Sequence, residues 1–161
     1  MTVGVRHDDL RRRNRAMVIA AARRAGQPSR TEIAAVTGLS NSTISTISAD
    51  LIGEGILAEA RGGEAAALRR GRPQVALGLN PRAATVVSVV LSLNALSAAL
   101  IDYSGRAIAH DISRQPTLTL GEAELVEAVA ACVRRLLARA GDGHGPVLRM
   151  TMAVQGITDS D

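Results

Sequence analysis

Residues 28–55, PSRTEIAAVTGLSNSTISTISADLIGEG, constrain this chain more than any other stretch. Two short helical patterns meet there at the tight turn Thr37-Gly38-Leu39-Ser40. The first opens on Ser29 with Glu32 three residues on, the capping-box pattern of a helix start. It runs through Ile33, Ala34 and Val36 and stops at Gly38, a residue free to adopt the left-handed conformation that ends a helix. Ser40 caps the second helix, whose apolar positions Ile44, Ile47, Leu51 and Ile52 share a face. Its front offers Asn41, Ser42, Thr43, Ser45 and Thr46 instead. A capped helix, a glycine turn and a helix with a small polar front is how a helix-turn-helix presents itself to the DNA major groove. The same pattern also describes ordinary helical hairpins, because the motif does not encode its partner.

Charge separates the two readings. Residues 1–82 hold 13 arginines against 7 acids, a net of +6, and residues 83–161 hold 6 against 8, a net of −2. The basic half is the half with the hairpin, as a phosphate footprint requires. Arg11, Arg12, Arg13, Arg15, Arg23 and Arg24 precede the hairpin, and Arg61, Arg69, Arg70 and Arg72 follow it. Double-stranded DNA is the expected partner. Tyr103 is the sole aromatic residue, which argues against single-strand and RNA binders built on stacking platforms.

Other classes have little to stand on. Cys132 is the only cysteine, so an internal disulfide or a cysteine-rich metal site is excluded. His7, His110 and His144 show no metal-ligand spacing. No catalytic constellation, cofactor motif or metal set is present in the pattern. The N-terminus lacks the apolar core of a signal peptide. Residues 83–101 carry no formal charge. Thr85, Ser88, Ser92, Asn94 and Ser97 punctuate them, so they are expected to form a buried hairpin rather than a membrane span. A cytoplasmic protein is expected.

Along the chain, residues 8–25 read as a first helix, with Leu10, Met17, Val18, Ala21 and Ala25 on its apolar side. After the hairpin come a short strand at 56–60, a Gly- and Arg-rich loop at 61–73 and a returning strand at 74–79. Together they predict a winged helix-turn-helix over residues 8–80, with Arg61, Arg69, Arg70 and Arg72 on the wing tip, suited to a narrow minor groove. Ser29, Arg30 and Thr31, at the start of the first hairpin helix, complete the expected DNA-contacting set. A solvated loop is the plainer reading of 61–72.

Asn80-Pro81 marks a boundary. Beyond it, strands are expected at 85–93, 96–101 and 106–113, a helix at 120–140 and a last strand at 147–154, a βββαβ order. Thr119 and Glu122 would cap that helix, and Val126, Val129, Val133, Leu136 and Ala140 would form its buried stripe. The fold class is therefore α+β.

These pieces in this order resemble the ROK family (repressors, open reading frames and sugar kinases), and its transcriptional regulators in particular. The resemblance runs from Asn14 to Asp159. It is carried by SRTEIAAVTGLSNSTIS, by Gly71-Arg72-Pro73, and by the LIDYSGRAIA and MAVQGITD segments. It implies a winged helix that binds operator DNA, joined at 83–161 to the N-terminal part of an actin-like, ribonuclease-H-like sugar-kinase domain that dimerises. The implied role is repression of carbohydrate-utilisation genes.

Three departures qualify that implication. Where the family's kinases carry a phosphate loop of Asp-x-Gly-Gly-Thr type, this chain reads Val90-Leu91-Ser92-Leu93-Asn94-Ala95, without the acid or the glycine pair. The family's sugar-binding, catalytic and zinc-binding motifs lie beyond this sequence, which implies a fragment or a shortened reading frame with no complete sugar site and no sugar effector. Family recognition helices often place arginines where Asn41 and Thr46 stand. The expected activity is thus DNA binding and not catalysis; the alternatives are a truncated interaction module that pairs with intact homologues, and a sugar-kinase relative. With one sheet face left bare, self-association through residues 85–101 is expected.

Overall fold

The computed structural model describes residues 7–60 and 75–155 and divides the chain into two compact units between Asn80 and Pro81.

In the first unit, α1 spans His7–Ala25, with Asp8 and Asp9 in its first turn and Arg23 and Arg24 in its last, each sign placed to suit the helix dipole. It ends at Gly26, whose φ of 77° is left-handed. Helices α2 (Arg30–Thr37) and α3 (Asn41–Gly53) follow, then strands β1 (Leu57–Ala60) and β2 (Ala76–Leu79). The strands pair antiparallel with Leu57 opposite Leu79. Val18 and Ala22 of α1, Ile33 of α2, Ile44 and Leu51 of α3 and Leu77 of β2 are wholly excluded from water. At about 1.5–3 kcal/mol for each large side chain buried, this cluster is what holds three helices to a two-stranded ribbon. The ribbon is tied down further by main-chain bonds: Leu77 N–H donates to the Pro28 carbonyl at 2.8 Å, and Asn80 N–H to that of Ile56 at 2.9 Å.

Several sequence expectations shift here. The strands are shorter than 56–60 and 74–79: the ladder pairs 57–60 with 76–79, Ile56 joins it only through its carbonyl, and residue 74 lies outside the described residues. On α1 the buried line is Val18, Ala21 and Ala22, while Leu10 and Ala25 are exposed. Val36 is three-quarters exposed, since only Ile33 of α2 reaches the core. The expected wing tip, residues 61–72, lies outside the described residues.

The second unit opens with a single 3-10 turn, Pro81–Ala83, and continues with β3 (Thr85–Ser92), β4 (Ala95–Asp102), β5 (Ala107–Arg114), helix α4 (Glu122–Ala140) and β6 (Val147–Val154). Strand order is β5-β4-β3-β6. The first three form an antiparallel meander, and β6 lies parallel to β3. The uncharged segment that could have suggested a membrane span is thus the β3–β4 hairpin, and no helix among the described residues is long and apolar enough to cross a membrane. Alternate residues of β3 and β4, among them Val87, Val89, Leu96, Ala98 and Leu100, meet Cys132 and Leu136 of α4 in one core. Val90 points to the other face and is exposed.

Helix α4 starts later than expected. Its N-cap is Gly121, whose N–H donates to Glu124 Oε2 at 2.9 Å, while Thr119 turns its hydroxyl to the Pro116 carbonyl. Val126 is exposed rather than buried. At 100° per residue it stands about 120° around the helix from Cys132, the centre of the buried line.

Asp111, on β5, is buried and pins α4 to the sheet. Arg135 Nε donates to its Oδ2 at 3.0 Å, and Arg139 lies 2.8 Å from its Oδ1. Burial opposes its charge, yet hydrogen bonds from Arg135 and the Cys132 thiol, with the Arg139 guanidinium beyond, hold its carboxyl below the ordinary aspartate value. Burial first, and then Asp111, push the Cys132 thiol up. At the opposite end, Gly145 passes so close to the 81–83 turn that a Cβ there would stand 2.7 Å from the Arg82 carbonyl carbon and 3.0 Å from Ala84 N.

Candidate nucleic-acid interface

The two hairpin helices are capped from within. Ser29 N–H donates to Glu32 Oε2 at 2.8 Å and Glu32 N–H to Ser29 Oγ at 3.2 Å, a reciprocal box. Thr31 Oγ1 lies 3.0 Å from the same hydroxyl. The turn is made by Gly38 at φ 71°, whose N–H donates to Ala34 O at 2.9 Å. The Thr37 hydroxyl bonds the Ile33 carbonyl at 2.7 Å and closes the last turn of α2. Ser40 then accepts from Thr43 N–H at 3.2 Å and starts α3.

This places the sequence-derived residues in three groups. Ser40, Asn41, Ser42, Ser45 and Thr46 are exposed along one side of α3, with Thr43 half-buried beside them. Thr31 is exposed and Arg30 partly so at the start of α2, but Ser29 is buried, its hydroxyl engaged in the cap. Arg30 is ion-paired to Glu59 of β1 at 3.0 Å. Arg61, Arg69, Arg70 and Arg72 lie outside the described residues.

The inner face of α3 is Ile44, Ile47, Ser48 and Leu51, all buried. Two ion pairs from α1 hold the helix at its C-terminal end. Arg11 reaches Asp50 at 2.8 Å, and Arg15 grips Glu54 through both guanidinium nitrogens, one at 2.9 Å. The hydrogen bond from Arg15 holds the Glu54 carboxyl below its ordinary value. Arg11 and Arg15 are therefore turned onto acids at the C-terminal end of α3, Asp50 and its C-cap Glu54, while Arg12, Arg13 and Arg24 are exposed. The i, i+4 spacing of both pairs, 11/15 and 50/54, was present in the sequence as a sign of two helices lying side by side. Ser48 carried no such sign: a serine on an apolar stripe is not distinguishable from one on the polar face until the helix is rotated into place.

Among the described residues, no group of histidine, cysteine or acidic side chains is placed to hold a metal ion. At the β3–β4 tip, the Ser92 and Leu93 carbonyls both accept from the Thr117 hydroxyl, at 2.6 and 3.1 Å.

No protein-family profile matches the sequence, and no curated protein matches it. Among solved structures, the chain is similar to the crystal structure of a ROK family transcriptional regulator, a homologue of the E. coli Mlc protein. The TM-score is 0.62, with 18% sequence identity over 91% of this chain. Over the matched span the chain shares that neighbour's fold. The match covers 36% of the neighbour's length, so this chain spans well under half of that protein. The ROK likeness takes in both units, the helices with their ribbon and the mixed sheet with its helix.

Proposed function

We propose that this chain is a DNA-binding transcriptional regulator, a repressor of carbohydrate-utilisation genes, acting from the cytoplasm on a double-stranded operator. Residues 8–80 are its winged helix-turn-helix and residues 83–161 the N-terminal part of a ROK sugar-kinase-like domain. The observation that carries this reading is α3. It is a doubly anchored helix whose exposed front is Ser40, Asn41, Ser42, Ser45 and Thr46, in the arginine-rich unit of a chain with a ROK regulator's fold.

In this reading the front of α3 enters the major groove. Arg30, Arg61, Arg69, Arg70 and Arg72 meet phosphate or the minor groove, and Thr31 lies at the backbone. Ser29 acts through the cap rather than by contact. The chain catalyses nothing and takes no ATP at Val90–Ala95. A second copy is its expected partner in solution.

The test is a titration of fluorescent duplex DNA with the full chain at several salt concentrations. Binding whose log–log salt slope falls by about 0.9 for each phosphate-contacting arginine changed to alanine supports the assignment. An unchanged slope in the combined Arg61, Arg69, Arg70 and Arg72 variant removes the wing from the interface. Absence of binding to any genomic fragment overturns the proposal in favour of a protein-interaction module.

A further inference from the structure

The residues of α3 turned away from the core are Asn41, Ser42, Ser45, Thr46 and Ala49. At 100° per residue they fill one arc of about 140°. None is a cation, and the longest is an asparagine. Hydrogen bonding within the helix then sorts the arc by chemistry. The Thr46 hydroxyl donates to the Ser42 carbonyl at 3.1 Å. The Ser42 and Thr43 hydroxyls lie 2.9 and 2.8 Å from Ser40 Oγ. With its oxygen committed, Thr46 has its γ-methyl group left to offer a ligand, and Ala49 adds a second methyl. The side chains of Asn41 and Ser45 have no hydrogen-bond partner among the described residues.

We infer that α3 reads adenine–thymine pairs, with threonine and alanine methyls against thymine 5-methyls and the Asn41 amide against the adenine edge. This rests on the proposed DNA-binding role of the helix. Guanine presents two acceptors, N7 and O6, and is read by a donor fork, which an arginine or lysine supplies. No side chain on this arc is one. Adenine presents an acceptor and a donor, N7 and N6, which match the donor and acceptor of a single asparagine amide. Small side chains also let the helix backbone approach the groove closely enough for methyl–methyl contact.

The experiment selects duplexes from a random-sequence pool with the full chain, then resynthesises the best duplex with single base-analogue replacements. Deoxyuridine for thymidine deletes one methyl, and 7-deaza analogues delete N7 of adenine or guanine. At one or more thymines, methyl removal should weaken binding about three- to fivefold. At one adenine, loss of N7 should weaken it about tenfold or more. Every 7-deazaguanine should bind within twofold. Thr46→Ser keeps the hydroxyl bond to Ser42 and deletes the methyl, so it should erase the penalty of one deoxyuridine while leaving the others. Indifference to all deoxyuridines, or a 7-deazaguanine that costs tenfold, overturns the inference while leaving DNA binding intact. Recovery of no duplex from the pool overturns the DNA-binding reading itself and this inference with it.

Discussion

The two units solve the burial of apolar surface in different ways. In the first, three helices and a ribbon face a shared centre, so the inward apolar residues of each are covered by the others, and Leu10 and Val36 are left outside. In the second, a four-stranded sheet has two faces and two edges, and a single helix packs chiefly on β4 and β5. The consequence falls on β6, exposed along its whole length. Leu148, Met150, Met152 and Val154 are 70, 52, 46 and 62% exposed. The lesson is geometric. Helices close around one another with few residues, whereas a sheet needs a layer for each face, and among the described residues none covers β6. The apolar surface expected at residues 85–101 lies mainly on β6 instead, because alternate residues of β3 and β4 are buried in one core with Cys132 and Leu136 of α4.

The contrast can be broken from the second unit first. Gly145→Ala forces a Cβ into backbone that cannot yield, and should destabilise that unit by about 3 kcal/mol. Amide exchange should show protection lost in β3 and β6 while α3 keeps its own. Uniform retention of protection would mean that the approach of Gly145 to Arg82 can relax.

Next in size is the Asp111 clamp. Asp111→Ala should cost about 2 kcal/mol, softened because water reaches the half-exposed guanidinium groups of Arg135 and Arg139. The sign with pH follows from the lowered carboxyl. Its contribution is complete above the ordinary aspartate range, about 3.9, and is lost as pH falls below it through the depressed folded value. Acid melts of the wild type and variant should therefore converge only at the acid end. Convergence at neutral pH would remove the clamp from the account.

The first unit offers a gain rather than a loss. Ser48 Oγ is buried without a hydrogen-bond partner among the described residues, and Ser48→Ala should stabilise by about 1 kcal/mol, read as a higher denaturant midpoint at unchanged slope. A lower midpoint would show that the hydroxyl is satisfied in solution.

Smallest in stability, and sharpest for the comparison, is the paired change Leu148→Glu with Met152→Glu. Both sites are exposed, so folding should change by less than about 0.5 kcal/mol. Light scattering should nonetheless report a lower mass than for the wild type, because the uncovered strand is the proposed route of self-association. Equal masses would leave β6 inert.

Local chemistry was legible in the order of residues. The Ser29–Glu32 box, the left-handed Gly38, the Ser40 cap and the polar front of α3 each depend on neighbours within four positions, and the sequence determined them unaided. The strand order of the mixed sheet, the burial of Ser48, the exposure of Val36 and Val126 and the engagement of Arg30 by Glu59 did not follow from it. Each depends on how far a helix is rotated about its axis or on which element comes to lie beside it. Periodicity fixes a stripe only to within a residue or two, and one residue is 100° of rotation. Asp111 is the clearest case: an alternating strand predicts a polar residue at some solvent face, and only α4, by bringing Arg135 and Arg139 over β5, makes a buried carboxylate the better place for it.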